Sequence, residues 1–280
     1  MLTFFTSLKS FRGQIAVIQR NAIKSWTLLR PKCEIILLGD EDGVAEAARE
    51  FGTKHIPDIE RSKCGIPLVN SIFKKAQNTA NNSLMCYVNP DIILQNNFLD
   101  AVKRVSFHKF LMIGRRRDID INKPWDFMAP DWESKLREYA KSAGKPHRPY
   151  GSDYFVFPRE TRWEMPPFVI GHPRYDNWII WKARSLKMPV IDASKVVNVI
   201  HQNHCGGCAS VQKSKAAREN MSLAGGWGYI YTILDSTHVM TRDAVLRVFG
   251  YRYRHLRWVL PTAIPGMRSF LRFLLLRNKT

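Results

Sequence analysis

Residues 84–94 read LMCYVNPDIIL, an apolar run interrupted only at Asn89-Pro90-Asp91. A carboxylate set between two apolar runs must be paired or metal-bound if it stays dry. Pro90 has no N–H to give a strand ladder, so a strand should break there and turn Asp91 toward a cleft. The simplest chemistry for such an acid is to hold a divalent cation that in turn holds a phosphate. On the tripeptide alone, a strand followed by a plain polar turn is an equal alternative.

Further along the chain stand other groups with matching chemistry. Asp40, inside GDEDG, is suited to accept hydrogen bonds from a nucleobase or ribose, the alternative being a solvated acidic turn. Arg115, Arg116 and Arg117 follow an apolar run, and guanidinium forks match the oxygens of a diphosphate; Arg115 is the preferred candidate and Arg117 the poorest. Asp153 lies in GSD directly before a strand, and Asp176 in YDN near the start of an aromatic helix. Asp176 is either a capping acid favoured by the helix macrodipole or a general base for a hydroxyl proton. The stretch HQNHCGGC offers His201, His204, Cys205 and Cys208 as zinc ligands. Structural zinc sites use two ligand pairs held apart by intervening fold, whereas these four crowd together. One histidine, His201 by preference, completing an oxygen-rich Mn²⁺ or Mg²⁺ site with Asp91 is the better expectation.

These residues need a framework. Short strands are predicted at 3–5, 34–38, 54–56, 84–88 and 110–114, with helices over 12–29, 44–51, 67–80 and 98–105 between them. Strand–helix alternation predicts βαβ units and a mostly parallel sheet. Right-handed crossovers then bring the strand ends at Thr6, Asp40 and Asp91 to one edge, the expected ligand crevice. After Gly114 the texture changes to a charged run and a loop over 123–130. Helices over 131–143 and 172–186 and strands within 151–158, 190–191 and 196–200 supply the second wall.

The chain has 280 residues and a formal net charge of +19, which calls for anionic company: nucleotide phosphates, nucleic acid or an anionic membrane surface. From Arg242 onward Asp243 is the only acid among many arginines, and aromatic residues alternate with them in YRYRHLRWVL. That pattern fits an amphipathic segment at a membrane interface or a basic helix packed on the domain. No run is long and apolar enough to span a bilayer. The start, MLTFFTSLKSFRG, lacks the charge order and cleavage site of a signal peptide. Five cysteines, an odd number, argue against a disulfide framework. A cytoplasmic protein, with its basic segment on the inner face of a membrane, is the expectation.

Taken in order on an α/β chain, Asp40, Asn89-Pro90-Asp91, Asp176 and His201 resemble the GT-A-type nucleotide-diphospho-sugar glycosyltransferases, family 2-like in character. VNPDIIL, GSDYFVFPR, YDNWIIWKAR, VIHQNH and LAGG…TILDSTH carry the resemblance, which spans residues 3–240. It implies an α/β GT-A Rossmann-like fold: a mixed, mostly parallel sheet flanked by helices, over residues 1–240, with a basic C-terminal helical appendage at 241–280. Residues 1–114 would form the nucleotide-sugar half, with Thr6, Asp40, Asn89, Asp91 and Arg115 on the donor, and 115–240 the acceptor half. Asp91 matches the last carboxylate of the family's DxD motif; Asn89 stands at its first position, where an amide oxygen is the weaker ligand. Asp176 matches the acid at the start of the acceptor-side helix, with Asp153 of GSD as a second catalytic candidate, and the late metal-site histidine falls on His201, with His204 and His238 as the other candidates. The implied reaction is metal-assisted, inverting transfer of a hexosyl group from a nucleotide-sugar donor to a glycan, lipid-linked or other hydroxyl acceptor.

Three other readings compete. A nucleotidyltransferase would carry a glycine-rich loop after the first strand, and Thr6-Ser7-Leu8-Lys9-Ser10 has no glycine. A nucleic-acid binder would spread its charge along a groove, whereas basic density here peaks beyond the α/β core, so no nucleic acid is expected. A non-catalytic nucleotide-sugar binder is compatible with the missing first carboxylate.

Overall fold

A computed structural model describes residues 1–204 and 214–248. Cys205 and Cys208 of the zinc reading, and nearly all of the basic segment, lie outside the described residues. The chain opens with β1 (Leu2–Ser7), α1 (Gly13–Leu28), β2 (Glu34–Leu38), α2 (Val44–Phe51), β3 (Lys54–Ile56), α3 (Val69–Thr79) and β4 (Leu84–Val88). It continues through β5 (Ile92–Ile93), α4 (Asn97–Lys103), β6 (Leu111–Ile113), β7 (Arg117–Ile119), α5 (Trp132–Ala143), β8 (Lys145–Pro146) and β9 (Tyr154–Pro158). Then come α6 (Tyr175–Ser185), β10 (Val190–Asp192), β11 (Ile200–Gln202), α7 (Lys215–Leu223), β12 (His238–Met240) and β13 (Val245–Arg247).

Nine strands form one mixed sheet in the order β13-β12-β10-β6-β9-β4-β1-β2-β3. Within it β1 runs parallel to both β2 and β4, and β9 lies antiparallel between β4 and β6. Both faces of the sheet are covered, which is why its strands read as unbroken apolar runs. Alternation sends Phe4 to one core, with Trp26 and Phe98, and Phe5 to the other, with Phe73 and Tyr87. Side chains as large as these contribute about 2–3 kcal/mol each when fully buried. Parallel pairing brings the ends of β1, β2 and β4, and so Thr6, Asp40 and Asp91, to one edge, as the alternation predicts.

A second, four-stranded sheet has the order β5-β11-β7-β8. It packs on α5 through Ile93, Ile119, Leu136 and Ile200. The charged stretch after Gly114 thus contains a strand that its composition hides. The predicted strand at 196–200 is a turn that enters β11 only at Ile200, since the 193 carbonyl accepts from the N–H groups of residues 196 and 197. α6 starts at Tyr175 rather than 172, because Arg174 adopts φ 100, outside the helical region.

Candidate active site

The break at Pro90 performs one definite task. β4 ends at Val88, the Ile92 N–H returns to the Asn89 carbonyl at 3.2 Å, and Ile92-Ile93 leaves the large sheet to pair with β11 of the small one. That transfer places Asp91 at the junction of the two sheets. The register His201↔Ile92 sets His201 beside it. Buried Gln202 clamps the turn: its backbone N–H and its side-chain amide both donate to the Asp91 carbonyl, at 3.1 and 3.2 Å. Across the turn the Trp26 indole N–H donates to the Ile92 carbonyl at 2.9 Å.

The Asp91 carboxylate meets two imidazoles. Asp91 Oδ2 lies 3.3 Å from His201 Nε2 and 3.1 Å from His204 Nε2. The other ring nitrogen of His201 is 3.2 Å from Asp118 Oδ1, and Asp118 Oδ2 is 2.8 Å from His147 Nδ1. Burial alone would raise the Asp91 carboxyl, but His201, His204 and Arg116 outweigh it and hold the carboxyl far below the usual range. Asp118 is held down likewise, against burial, by His147, His201 and Arg116. Burial disfavours a charged His201, yet Asp91 and Asp118 together push its pKa up to about 9.

A second group of acids adjoins the first. Arg116 donates through Nε to Asp118 Oδ1 at 2.8 Å and through Nη1 to Asp153 Oδ1 at 2.5 Å, tying the two groups together. Asn89 Nδ2 donates to the same Asp153 oxygen at 2.8 Å, and the Asn89 N–H donates to the Asp153 carbonyl at 2.9 Å. Asp176 Oδ1 accepts from the Arg174 N–H at 3.1 Å, and a Cβ built on Gly151 would stand 3.1 Å from Asp176 Oδ2. The GSD and YDN motifs therefore lie close together, near enough for the charge of Asp153 to act on Asp176. Burial, helped by the charge of Asp153, pushes the Asp176 carboxyl up to about 6. The buried Tyr87 hydroxyl, 3.4 Å from that of Tyr175, lies within electrostatic reach of Asp91, Asp153 and Asp176.

Several candidate residues stand differently from the sequence expectation. Arg115 turns away from the acids, its Nε and Nη2 donating to the His147 carbonyl at 2.9 and 2.5 Å; Arg116 is the arginine among them. Asn89 uses its amide as a donor to Asp153 and does not join Asp91 as a ligand. Asp40 is exposed and ion-paired to Arg61, which also reaches Glu41 at 2.9 Å. Thr6 is fully buried, with its hydroxyl on the Ser7 carbonyl at 3.4 Å. His238 sits on β12 with its ring against Phe107 and its Nδ1 on Thr237, apart from the Asp91 cluster. Asp118 and His147 escaped the sequence reading, because β7 spans only Arg117–Ile119, too few residues to show a strand period.

Asp91, His201 and His204 could hold a cation. Their ligand atoms lie within 4.8 Å of one another, the only such group of three among the described residues. Asp91 Oδ1 and His204 Nδ1 are buried with no hydrogen-bond partner, so the carboxylate retains an unused acceptor. An oxygen and two imidazole nitrogens suit a divalent metal ion. Among the described residues no helix is long and apolar enough to cross a membrane.

No protein-family model matches the chain, and no curated protein matches it in sequence. Solved structures match its fold. Glucosyl-3-phosphoglycerate synthase from Mycobacterium tuberculosis, in complex with phosphoglyceric acid, aligns with a TM-score of 0.52 at 13% identity, over 81% of this chain and 81% of that one. The same enzyme with Mn²⁺, uridine diphosphate and glucosyl-3-phosphoglycerate gives 0.50 at 13% identity, covering 81% of each chain. Its complex with Mn²⁺, UDP-glucose and phosphoglyceric acid gives 0.50 at 12% identity, over 81% of this chain and 80% of that one. The chain has the GT-A-type, Rossmann-like fold of these glycosyltransferases.

Proposed function

We propose that this protein is a glycosyltransferase that moves a sugar, of hexosyl type, from a nucleotide-diphosphate donor to an acceptor hydroxyl with the help of Mn²⁺ or Mg²⁺. One observation carries this reading above the others: Asp91, at the carboxyl edge of a GT-A-type sheet, is joined to His201 and His204 in a group with metal-ligand spacing. Fold likeness by itself would be an analogy; the site supplies the chemistry.

Asp91, His201 and His204 are the residues that would hold the cation. When bound, the ion supplies Lewis-acid stabilisation of the charge that builds on the departing nucleoside diphosphate. Arg116 adds fixed positive charge beside Asp91, a role the sequence reading gave to Arg115. Asp40 and Thr6, at the ends of β2 and β1, mark the donor side of the edge. Asn89 contributes indirectly by fixing Asp153, which with Arg116 steadies the acceptor-side loop.

Asp176 is the proposed base. Its pKa near 6 leaves it ionised at neutral pH while keeping it more basic than an exposed aspartate. Attack by the hydroxyl it deprotonates, opposite the leaving diphosphate, inverts the anomeric centre. A product with retained configuration would overturn this role. The domain is proposed to cover residues 1–240. The basic segment at 241–280 is proposed to rest on an anionic membrane surface, on the strength of its alternating arginines and aromatic residues.

The experiment is a thermal-shift screen of nucleoside diphosphates and their sugars, with and without Mn²⁺. A specific stabilisation names the donor, and silence across the panel overturns the reading. Product analysis on the hit then separates a transferase from a nucleotide-sugar binder.

A further inference from the structure

Arg174, where the chain enters α6, has no anionic partner among the described residues. Arg116 is committed to Asp118 and Asp153, but the one hydrogen bond that Arg174 donates comes from its backbone N–H, to Asp176. Its side chain is half-buried, and an unpaired charge in that position lacks the partner that would offset its lost hydration. Burial pulls its pKa below the ordinary value, against the charge of Asp176. The backbone is also strained, since φ 100 is a conformation that long side chains rarely adopt. Strain of this kind gathers at ligand sites.

What the guanidinium meets is an aromatic ring. Arg174 Cζ lies 5.0 Å from the centroid of Trp227, which is 57% exposed. A ring face attracts a guanidinium and leaves its N–H edge free for a carboxylate or phosphate. The platform is fixed to α6: Tyr229 packs on Trp181 with centroids 4.6 Å apart, and the Tyr231 N–H donates to the Asn177 carbonyl at 3.4 Å. A cation with free donors, on a half-exposed indole, thus stands beside the proposed base.

We infer that Arg174 and Trp227 form an acceptor subsite that binds an anionic group, a carboxylate or a phosphate ester, on the molecule whose hydroxyl is glycosylated. The adjoining acid decides which substrate carries the anion. Arg174 neighbours Asp176, the proposed base for the acceptor, whereas Arg116 serves the Asp91 side. An anion seated there would also remove the pull of Arg174 on the Asp176 carboxyl and leave that base stronger. The inference rests on the proposed function only in calling the ligand an acceptor, and anion binding is measured without donor or metal.

The test follows the full-length protein, labelled with fluorotryptophan, by fluorine NMR, with the Trp227 signal assigned from Trp227→Phe. The probes are glucuronate, glucose-6-phosphate, glucose and inorganic phosphate at matched ionic strength. At least one of the two sugar acids should shift the Trp227 signal saturably, and glucose should leave it in place. The tighter acid tells a carboxylate from a phosphate ester. Inorganic phosphate should bind at least about tenfold more weakly than that acid, which separates an acceptor from a free anion. Arg174→Gln keeps the backbone strain and should weaken binding by at least about tenfold. Arg174→Gly relieves the strain and should lose binding as well, with circular dichroism melts checking that both variants fold. A Trp227 signal that no probe moves, an equal shift by glucose, inorganic phosphate bound as tightly as the sugar acids, or unaltered binding in Arg174→Gln would each overturn the inference. Anion binding at Trp227 with no nucleotide binding leaves the anion site standing and removes the transferase reading. Nucleotide binding with an unmoved Trp227 signal does the reverse.

Discussion

Asp118 and His201 face each other across the parallel pair of β7 and β11, in direct register, with Asp118 Oδ1 3.2 Å from His201 Nδ1. His201 therefore stands between two carboxylates, Asp91 on one nitrogen and Asp118 on the other. The small sheet makes that arrangement: β5 follows the Asp91 turn, β11 carries His201 and β7 carries Asp118.

The pH dependence of the metal-free protein follows from this sandwich. The folded pKa of His201 is raised to about 9 from an ordinary value of 6.5. Its charge thus contributes stability that is fully present below the unfolded value and lost as pH rises through the folded one. The melting temperature of the metal-free chain should fall between pH 6.5 and 9, and His201→Gln should flatten that fall. A wild-type melt that stays level across the window would contradict the pairing.

Asp91→Asn keeps the shape of the turn and removes the charge. Turnover should drop by about 10³-fold or more, with weaker donor binding in the presence of metal. Steady-state kinetics and calorimetry with the donor read both effects. Unchanged activity would remove Asp91 from the centre of the site.

For Asp176 the expected loss is confined to the chemical step. Asp176→Asn should lower transfer by about 10²- to 10⁴-fold and leave donor affinity near wild type. In the wild-type protein, kcat/KM should climb with pH through a value near 6 as the carboxyl ionises. A profile flat from pH 5 to 8 would separate Asp176 from catalysis.

Arg116 joins two acids; without it Asp153 keeps the Asn89 amide and Asp118 keeps His147 and His201. Arg116→Met should destabilise the fold by about 3–5 kcal/mol, the range for breaking a buried ion pair from one side. Arg115→Met, removing a side chain whose hydrogen bonds go to the His147 carbonyl, should cost under about 1 kcal/mol. Urea denaturation of the two variants distinguishes them.

Trp26 links the core to the site. Trp26→Phe retains most of the ring but strands the Ile92 carbonyl, which should cost about 1–3 kcal/mol. Weakened Mn²⁺ binding should accompany the loss, because Ile92 follows Asp91 directly. Loss of stability with metal binding untouched would show that the hydrogen bond does not position the turn.

The amino-acid sequence by itself determined the central framework and one anchor of the site. Apolar runs alternating with helical periodicity forced β1, β2 and β4 into a parallel sheet, and a proline without an N–H forced the strand to break just before Asp91. Both are local rules, readable along the chain. The remainder was settled by pairing between distant segments. Strands of two or three residues, such as Ile92–Ile93, Arg117–Ile119 and Ile200–Gln202, are too short to show a period. Only their register put Asp118 opposite His201. Whether Arg115 or Arg116 reached the acids likewise depended on how the chain entered β7, since neighbouring side chains on an extended segment point opposite ways. The resemblance sets Asn89 at the first DxD position, as a weak ligand on the donor side. Antiparallel pairing of β9 with β4 brought Asp153 to its amide instead, and the tertiary structure made it a donor to that carboxylate.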